Sequence, residues 1–317
     1  MQISSLIHAL SDGQFHSGSD LGALLGVSRT AIWKALDRLQ EFGLKYESQK
    51  GKGDRLLQSL DLIDLPMLQQ KLPKDVSNEL SIHHVLSCPS TNSDIHSFAG
   101  EGRRYTVLFS EQQTAGRGRR GREWCSPFAE NLYMSMCFSW VKGPSALQGL
   151  SIVVGVAVAE LLVEEGVNGV GVKWPNDVWV NGQKVAGILI ELEGEVTSSW
   201  KVTLGLGLNT NMSAVNGAGI DQPWTCLSEY VDVKRTDLAA RLVEKLVLAL
   251  DEFTEVGFQS FLARYAQLDA LGGKRVRLHG PDVEGVVRGV DVDGALLLET
   301  EKGLHPYHAG EISVRPL

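Results

Sequence analysis

The apolar period changes along the chain, and that change sets the architecture. Residues 1 to about 62 carry helical stripes: Leu6, Ile7 and Leu10; then Leu21, Leu24 and Leu25; then Ile32, Leu36, Leu39 and Phe42. The last set falls at i, i+4, i+7 and i+10, one face of a helix. Ser17 or Ser19 suits the start of the second helix and Ser28 the start of the third, because a hydroxyl accepts from an orphan first-turn N–H. Residues 26–28, Gly-Val-Ser, form a tight turn, and Gly43 ends the third helix. Residues 44–48 and 54–57 flank Gly51-Lys52-Gly53, the pattern of a hairpin.

Helix, helix, glycine turn, helix, hairpin is the order of a winged helix-turn-helix. Residues 1–60 hold seven basic and six acidic side chains, net +1, whereas the whole chain is −8. The chain as a whole is therefore no basic nucleic-acid coat, but the third helix and the wing are locally basic. Ser28, Arg29, Thr30, Trp33 and Lys34 on the helix, with Lys52 and Arg55 on the wing, are the candidate DNA contacts. Trp33 sits outward with Arg29 and Asp37, where a bulky aromatic suits a thymine methyl.

Residues 61–80 read as a linker with a short helix. Beyond about 81 the pattern turns to strands, at 106–110, 132–138, 170–173, 184–193 and 200–208, with helices at 147–164 and 236–256. Many strands and few helices argue for a mixed sheet and not a doubly wound one. From Gly272 onward, short strands at 275–278, 285–287 and 294–298 alternate with glycine turns, as in a small all-β barrel. The reading is a multidomain α+β protein with domains at 1–62, 63–270 and 271–317.

Four cysteines at 88, 125, 137 and 226 form no C-x-x-C pair, so they read as reduced thiols, and no tightly bound structural metal is expected. The start of the chain lacks a basic n-region and a long apolar core. The most apolar stretch, 152–163, is short for a bilayer and carries Glu160. A cytoplasmic protein without a membrane partner is expected.

Gly116-Arg117-Gly118-Arg119-Arg120-Gly121-Arg122, followed by Trp124, is the densest chemical signal. Glycines let backbone approach a ligand, and guanidinium groups recognise phosphate or carboxylate. No Gly-Lys-Ser/Thr follows at P-loop spacing, and the flanks fit poorly with a dinucleotide fingerprint. A loop so charged is expected to order only on a ligand, with no packing to hold Arg119 otherwise. A solvated basic loop is the plain alternative. Lys173-Trp174-Pro175-Asn176-Asp177 ends a strand with polar groups, Asp177 being a candidate Mg²⁺ partner. Lys184 opens an apolar strand in which Gly187 leaves room for a ligand. Residues 204–211, Leu-Gly-Leu-Gly-Leu-Asn-Thr-Asn, offer a strand against which something flat can pack, and 212–223 suits a lid closing on Trp224.

These segments resemble, in order and spacing, the biotin protein ligase family. The carriers of the resemblance are Ser90-Thr91-Asn92, Gln113, the 116–122 loop with Trp124, 173–177, 184–189 and 206–209. The N-terminal winged helix and the closing Gly310-Glu311-Ile312-Ser313-Val314-Arg315 resemble its bifunctional branch, whose members also repress the biotin operon. The resemblance implies a central domain like class II aminoacyl-tRNA synthetases and lipoate ligases, and an SH3-like C-terminal barrel. It implies ATP-dependent formation of biotinoyl-5′-AMP and transfer of biotin to a lysine of biotin carboxyl carrier protein. Lys184, Arg119 and Arg117 would be catalytic. Ser90, Thr91, Asn92, Gln113, Gly116, Gly118, Gly187 and Asn209 would join them around biotin and the adenylate. Asn176, Asp177 and Trp224 would meet ATP with Mg²⁺. Operator DNA and an adenylate-dependent homodimer complete the implied partners. A sensor without ligation and a lipoate-type acyl ligase are the rivals. Lys184 and the arginine loop count against the first; the DNA-binding domain and the same loop count against the second.

Overall fold

The computed structural model describes residues 3–98, 102–194, 199–310 and 312–317. Helices α1 (Ile3–Leu10), α2 (Gly18–Leu25) and α3 (Arg29–Asp37) precede a hairpin of β1 (Tyr46–Gln49) and β2 (Gly53–Leu56). Ser17 caps α2 by accepting from the Asp20 N–H, and Ser28 caps α3 by accepting from the Ala31 N–H. Gly26, at φ 66°, ends α2 in the left-handed region that a β-carbon disfavours. The third helix stops short of Phe42: residues 38–42 tighten into a 3₁₀ turn that Gly43 closes at φ 71°. Leu6, Ile7, Leu10, Leu21, Ile32 and Leu36 are buried together, as their spacing requires. The same cluster takes in Phe128 and Ala129 from farther along the chain, with the Phe42 and Phe128 rings edge to face at 5.4 Å.

Residues 61–80 are not a free linker. Helices α4 (Leu65–Lys71) and α5 (Lys74–Asn78) place Leu68, Leu72 and Val76 in the central core beside Ile63. The tie is a buried ion cluster. Glu111, fully buried, accepts from the Ile63 N–H at 2.8 Å, from Arg235 at 2.8 Å and from His84 at 3.0 Å. Arg235 in turn donates to the Asp61 carbonyl and, at 2.7 Å, to the Asn131 carbonyl, and its own N–H reaches the Asp61 carboxylate at 2.8 Å.

The central sheet comprises β3 (Leu80–Val85), β4 (Tyr105–Ser110), β5 (Asn131–Trp140), β6 (Val170–Lys173), β7 (Asp177–Val180), β8 (Gln183–Glu193) and β9 (Trp200–Asn209), with α6 (Thr91–Asp94) after β3 and α7 (Leu150–Glu164) after β5. The strand order is β3-β4-β5-β9-β8-β7-β6, with β3 and β4 parallel and the other neighbours antiparallel. It is the mixed sheet expected, with β3 and β7 the two strands that the sequence pattern did not announce. Helices α7 and α8 (Arg235–Val256) cover one face, while α6 and the 116–126 loop cover the other. The run from Pro144 to Glu164 is long and apolar enough to cross a bilayer, against the short stretch expected, yet most of it is packed inside the core. None of the four cysteines is in a disulfide.

After α9 (Leu262–Leu268) come β10 (Arg275–His279), β11 (Val283–Val290), β12 (Leu296–Thr300), β13 (Gly303–Tyr307) and β14 (Ser313–Pro316). They form an antiparallel sheet in the order β13-β12-β11-β10-β14, whose outer strands β13 and β14 are not paired with one another among the described residues. Its apolar side joins the central core, and the buried Trp174 indole donates to the Gly294 carbonyl at 3.0 Å. Glu311, part of the closing motif, lies outside the described residues.

Candidate active site

The open face of the sheet carries a floor without side chains. Gly187 on β8 and Gly207 on β9 are direct cross-strand neighbours, and Gly205 is the next inward position on β9. A β-carbon on Gly207 would lie 2.3 Å from the Trp124 ring, and one on Gly187 would lie 2.8 Å from it. The indole of Trp124 therefore lies flat on this glycine floor, the place the sequence marks for something flat. A β-carbon on Gly205 would strike Asn92 at 2.2 Å.

A small, partly enclosed cavity opens beside Trp124. Ser90, Thr91, Asn92 and Gln113 form one wall; Arg117, Gly118 and Arg119 form another; Asn176, Lys184 and Gly187 close it. The polar wall is organised before any ligand arrives. Gln113 Oε1 accepts from the Thr91 N–H at 2.9 Å, and its amide donates to Ser126 Oγ at 3.1 Å. Ser135 Oγ donates toward Asn92 Oδ1 at 2.6 Å and lies 2.8 Å from Thr91 Oγ1. Glu191, which the sequence reading passed over, accepts from Asn92 Nδ2 at 2.7 Å and lies 3.3 Å from Arg117. The two-residue period from Gly187 through Leu189 reaches it.

A second cavity adjoins the first through Gly118, Arg119, Trp124, Asn176 and Lys184. It is cationic, adding Arg120, Arg122 and Lys173, with Asp177 and Glu123 as its acids. Asp177 Oδ1 is 2.7 Å from Lys184 Nζ, and its Oδ2 is 3.7 Å from Lys173 Nζ. Burial pushes Lys173 below the ordinary lysine range, against the pull of Asp177. Burial lowers Arg119 as well, opposed by Asp177 and assisted by Arg120. Ile312, Ser313 and Val314 give this cavity a wall from the C-terminal sheet.

The arginine loop is not held by ligand alone, contrary to expectation. Its ends are stitched by Gly118 N–H to Arg122 carbonyl at 2.7 Å and Trp124 N–H to Gly116 carbonyl at 2.9 Å. Arg119 donates to Asn176 Oδ1 at 3.2 Å and to the Ala309 and Gly310 carbonyls at 2.6 Å each. These acceptors sit 57, 190 and 191 residues away in sequence, so no local pattern announces them.

Three expected residues stand back from the cavities. Gly116 is packed against Trp124 and Ser126. Asn209 is buried and donates to the Thr225 carbonyl at 3.1 Å, which fastens the 223–225 segment beside β8. Trp224 packs on Gly217, folding the 212–223 segment against it. That segment is pinned further by Glu130, which accepts from the Ser213 N–H at 2.8 Å and from Asn216 Nδ2 at 2.5 Å.

A separate groove runs between α3 and the wing, lined by Arg29, Thr30, Trp33, Lys50 and Lys52. Ser28 serves as a cap, and Lys34 is exposed outside the groove. Arg55 is engaged already, with Glu47 at 2.9 Å and with its guanidinium over the Phe15 ring at 4.5 Å.

A winged helix joined to a mixed sheet that carries a polar cavity beside a cationic one defines a class: a DNA-binding module fused to a small-molecule site. Comparison with known proteins gives the family. The Biotin/lipoate A/B protein ligase family matches residues 85–209, the Biotin protein ligase C terminal domain matches residues 271–315, and an HTH domain matches residues 3–55. The chain is 40% identical to the bifunctional ligase/repressor BirA of Salmonella typhimurium over 98% of this chain and 97% of that one. It is 38% identical to the Escherichia coli protein of that name, over 98% and 96%. The solved biotin protein ligase from Aquifex aeolicus in complex with biotin and ATP is 29% identical, with a TM-score of 0.65, covering 75% of this chain and 99% of that one. The chain belongs to the biotin protein ligase family, in its bifunctional ligase/repressor branch.

Proposed function

We propose that the polar cavity holds biotin, that the cationic cavity holds the phosphates of ATP, and that the groups shared between them bring the reacting atoms together. The reaction is attack of the biotin carboxylate on the α-phosphorus, giving biotinoyl-5′-AMP and releasing pyrophosphate. A lysine amine of biotin carboxyl carrier protein then attacks the mixed anhydride, forming an amide and expelling AMP. The carrying observation is that Lys184, Arg119 and Asn176 border both cavities. Two anions repel as they approach, and fixed cations between them offset that repulsion without reorganising. Lys184 is the bridging cation, and Arg117 and Arg119 close over the adenylate, keeping water from the anhydride. Ser90, Thr91, Asn92 and Gln113 meet the ureido ring. The Trp124 indole N–H is buried without a partner among the described residues, a donor that suits a bound ligand.

Asp177 is a poor Mg²⁺ ligand. Its two oxygens face Lys184 and Lys173, and no group of three metal-ligating side chains occurs among the described residues. Mg²⁺ then enters as the counterion of ATP, and no step here runs through it.

Arg29, Thr30, Trp33, Lys34 and Lys52 contact operator DNA, with Arg55 bracing the wing. The homodimer and the carrier use β8: strand β7 pairs with it as far as Gly187, and Asn176 accepts from the Ile188 N–H and donates to the Ile188 carbonyl, which leaves residues 189–193 beyond the reach of β7 on that side. Domain limits fall near 62 and 270, and the protein works in the cytoplasm. Incubation with biotin, Mg²⁺-ATP and a carrier domain, followed by intact-mass measurement, tests the ligase. One added biotin per carrier supports it; tight biotin binding with no mass gain favours a sensor without ligation.

A further inference from the structure

The groove between α3 and the wing is polar and basic except at one point. Trp33 is 65% exposed, on a helix whose Ile32 and Leu36 are each 1% exposed. The helix phase is therefore fixed by its core, and Trp33 is committed outward. Around it stand Arg29, Lys50 and Lys52, with small or polar groups such as Thr30 between. Apart from the buried Ile32, no other apolar side chain among the described residues lines this groove.

Cations of this kind position a duplex through its phosphates and carry no sequence information. A large apolar ring among them has one matching feature in the major groove, the C5-methyl of thymine. Exposed tryptophan is unfavourable in water and gains by being covered.

We propose that Trp33 is a specificity-determining residue that selects a thymine in each operator half-site by contact with its methyl group. This rests on the DNA-binding role proposed for the winged helix. It is independent of which ligand fills the catalytic cavities.

The test uses the full-length chain with biotin and Mg²⁺-ATP. A binding site is first selected from a pool of random duplexes. Each thymine is then replaced singly by deoxyuridine, which removes only the methyl. In the wild-type chain one or two thymines per half-site should each cost about fourfold in affinity, the equivalent of ~0.8 kcal/mol. Trp33→Ser should bind the unmodified site more weakly by a similar factor and show no further loss at those same positions. Trp33→Phe should keep part of the sensitivity. An unchanged thermal midpoint for Trp33→Ser reports an intact fold. Absence of any methyl-sensitive thymine in the wild type, or equal sensitivity in Trp33→Ser, overturns the proposal and leaves DNA binding standing. Failure of the wild-type chain to enrich any duplex overturns both.

Discussion

Lys184 Nζ lies 2.7 Å from Asp177 Oδ1, and the two residues sit on the neighbouring strands β8 and β7, Lys184 opposite Trp179 and Asp177 opposite Gly187. The lysine is held at the seam of the two cavities by a carboxylate that is itself 8% exposed. An ammonium group alone on a flexible stem would point in many directions; this one is aimed.

Lys184→Gln should therefore slow adenylate formation roughly 10²-fold, on the order of 3 kcal/mol in the barrier, since a fixed cation is removed from developing phosphate charge. Asp177 keeps Lys173 as a partner, so the fold should survive. Biotin-dependent pyrophosphate exchange measures it, and a wild-type rate in folded protein would exclude the role.

Arg119→Gly removes three hydrogen bonds that join the loop to Asn176 and to the C-terminal sheet. Activated biotin should then escape and acylate exposed lysines of a bystander protein, seen by avidin blot. Labelling confined to the carrier domain would count against a closing role.

Gly207→Ala tests the floor. The added carbon would collide with the Trp124 ring at 2.3 Å, with rigid sheet on the other side. Biotin affinity should fall tenfold or more while circular dichroism stays the same, and titration calorimetry decides it.

Glu111 gives a pH signature. Burial alone would raise it, but Arg235 and His84 outweigh burial and hold it at about 2, below the usual 4.5. A carboxylate lowered in the folded state contributes stability that is complete above pH 4.5 and is lost as pH falls toward 2. That contribution is on the order of 3 kcal/mol. Glu111→Gln should be less stable at neutral pH and lose less on acidification, as urea midpoints across pH would record.

A chain shortened to begin at Ile63 loses Asp61, whose carbonyl and carboxylate serve Arg235, a residue 2% exposed. One that begins at Gln58 keeps it. The shorter form should be about 1–3 kcal/mol less stable, the cost of buried donors left unpaired. Neither should retard operator DNA. Equal urea midpoints would show the ion cluster to be dispensable.

Local chemistry explains what the sequence disclosed. Ser28, Gly26 and Gly43 act within four residues of themselves, so the winged helix was readable from caps and spacing. Gly207 announced a flat occupant and Gly187 room for a ligand, because a missing side chain in an apolar strand leaves space to be filled. The occupant itself, Trp124, comes from a loop some eighty residues earlier than Gly207, and nothing local pairs them. Glu191 and the carbonyls of Ala309 and Gly310 were hidden for the same reason: their partners arrive through sheet register and domain packing. Asn209 donates to the Thr225 carbonyl and Trp224 packs on Gly217, contacts that the local sequence pattern does not announce.

Phe128 lies four residues after Trp124, yet its ring belongs to the apolar cluster of the winged helix, edge-on to Phe42. Transplanting a foreign DNA reader onto this ligase is thus more than a splice at residue 62. The donor must carry an aromatic edge where Phe42 stands, or the recipient is left with an exposed ring at the foot of its own catalytic loop. A chimaera that replaces Phe42 and Phe128 as a pair should assemble where one replacing Phe42 alone does not.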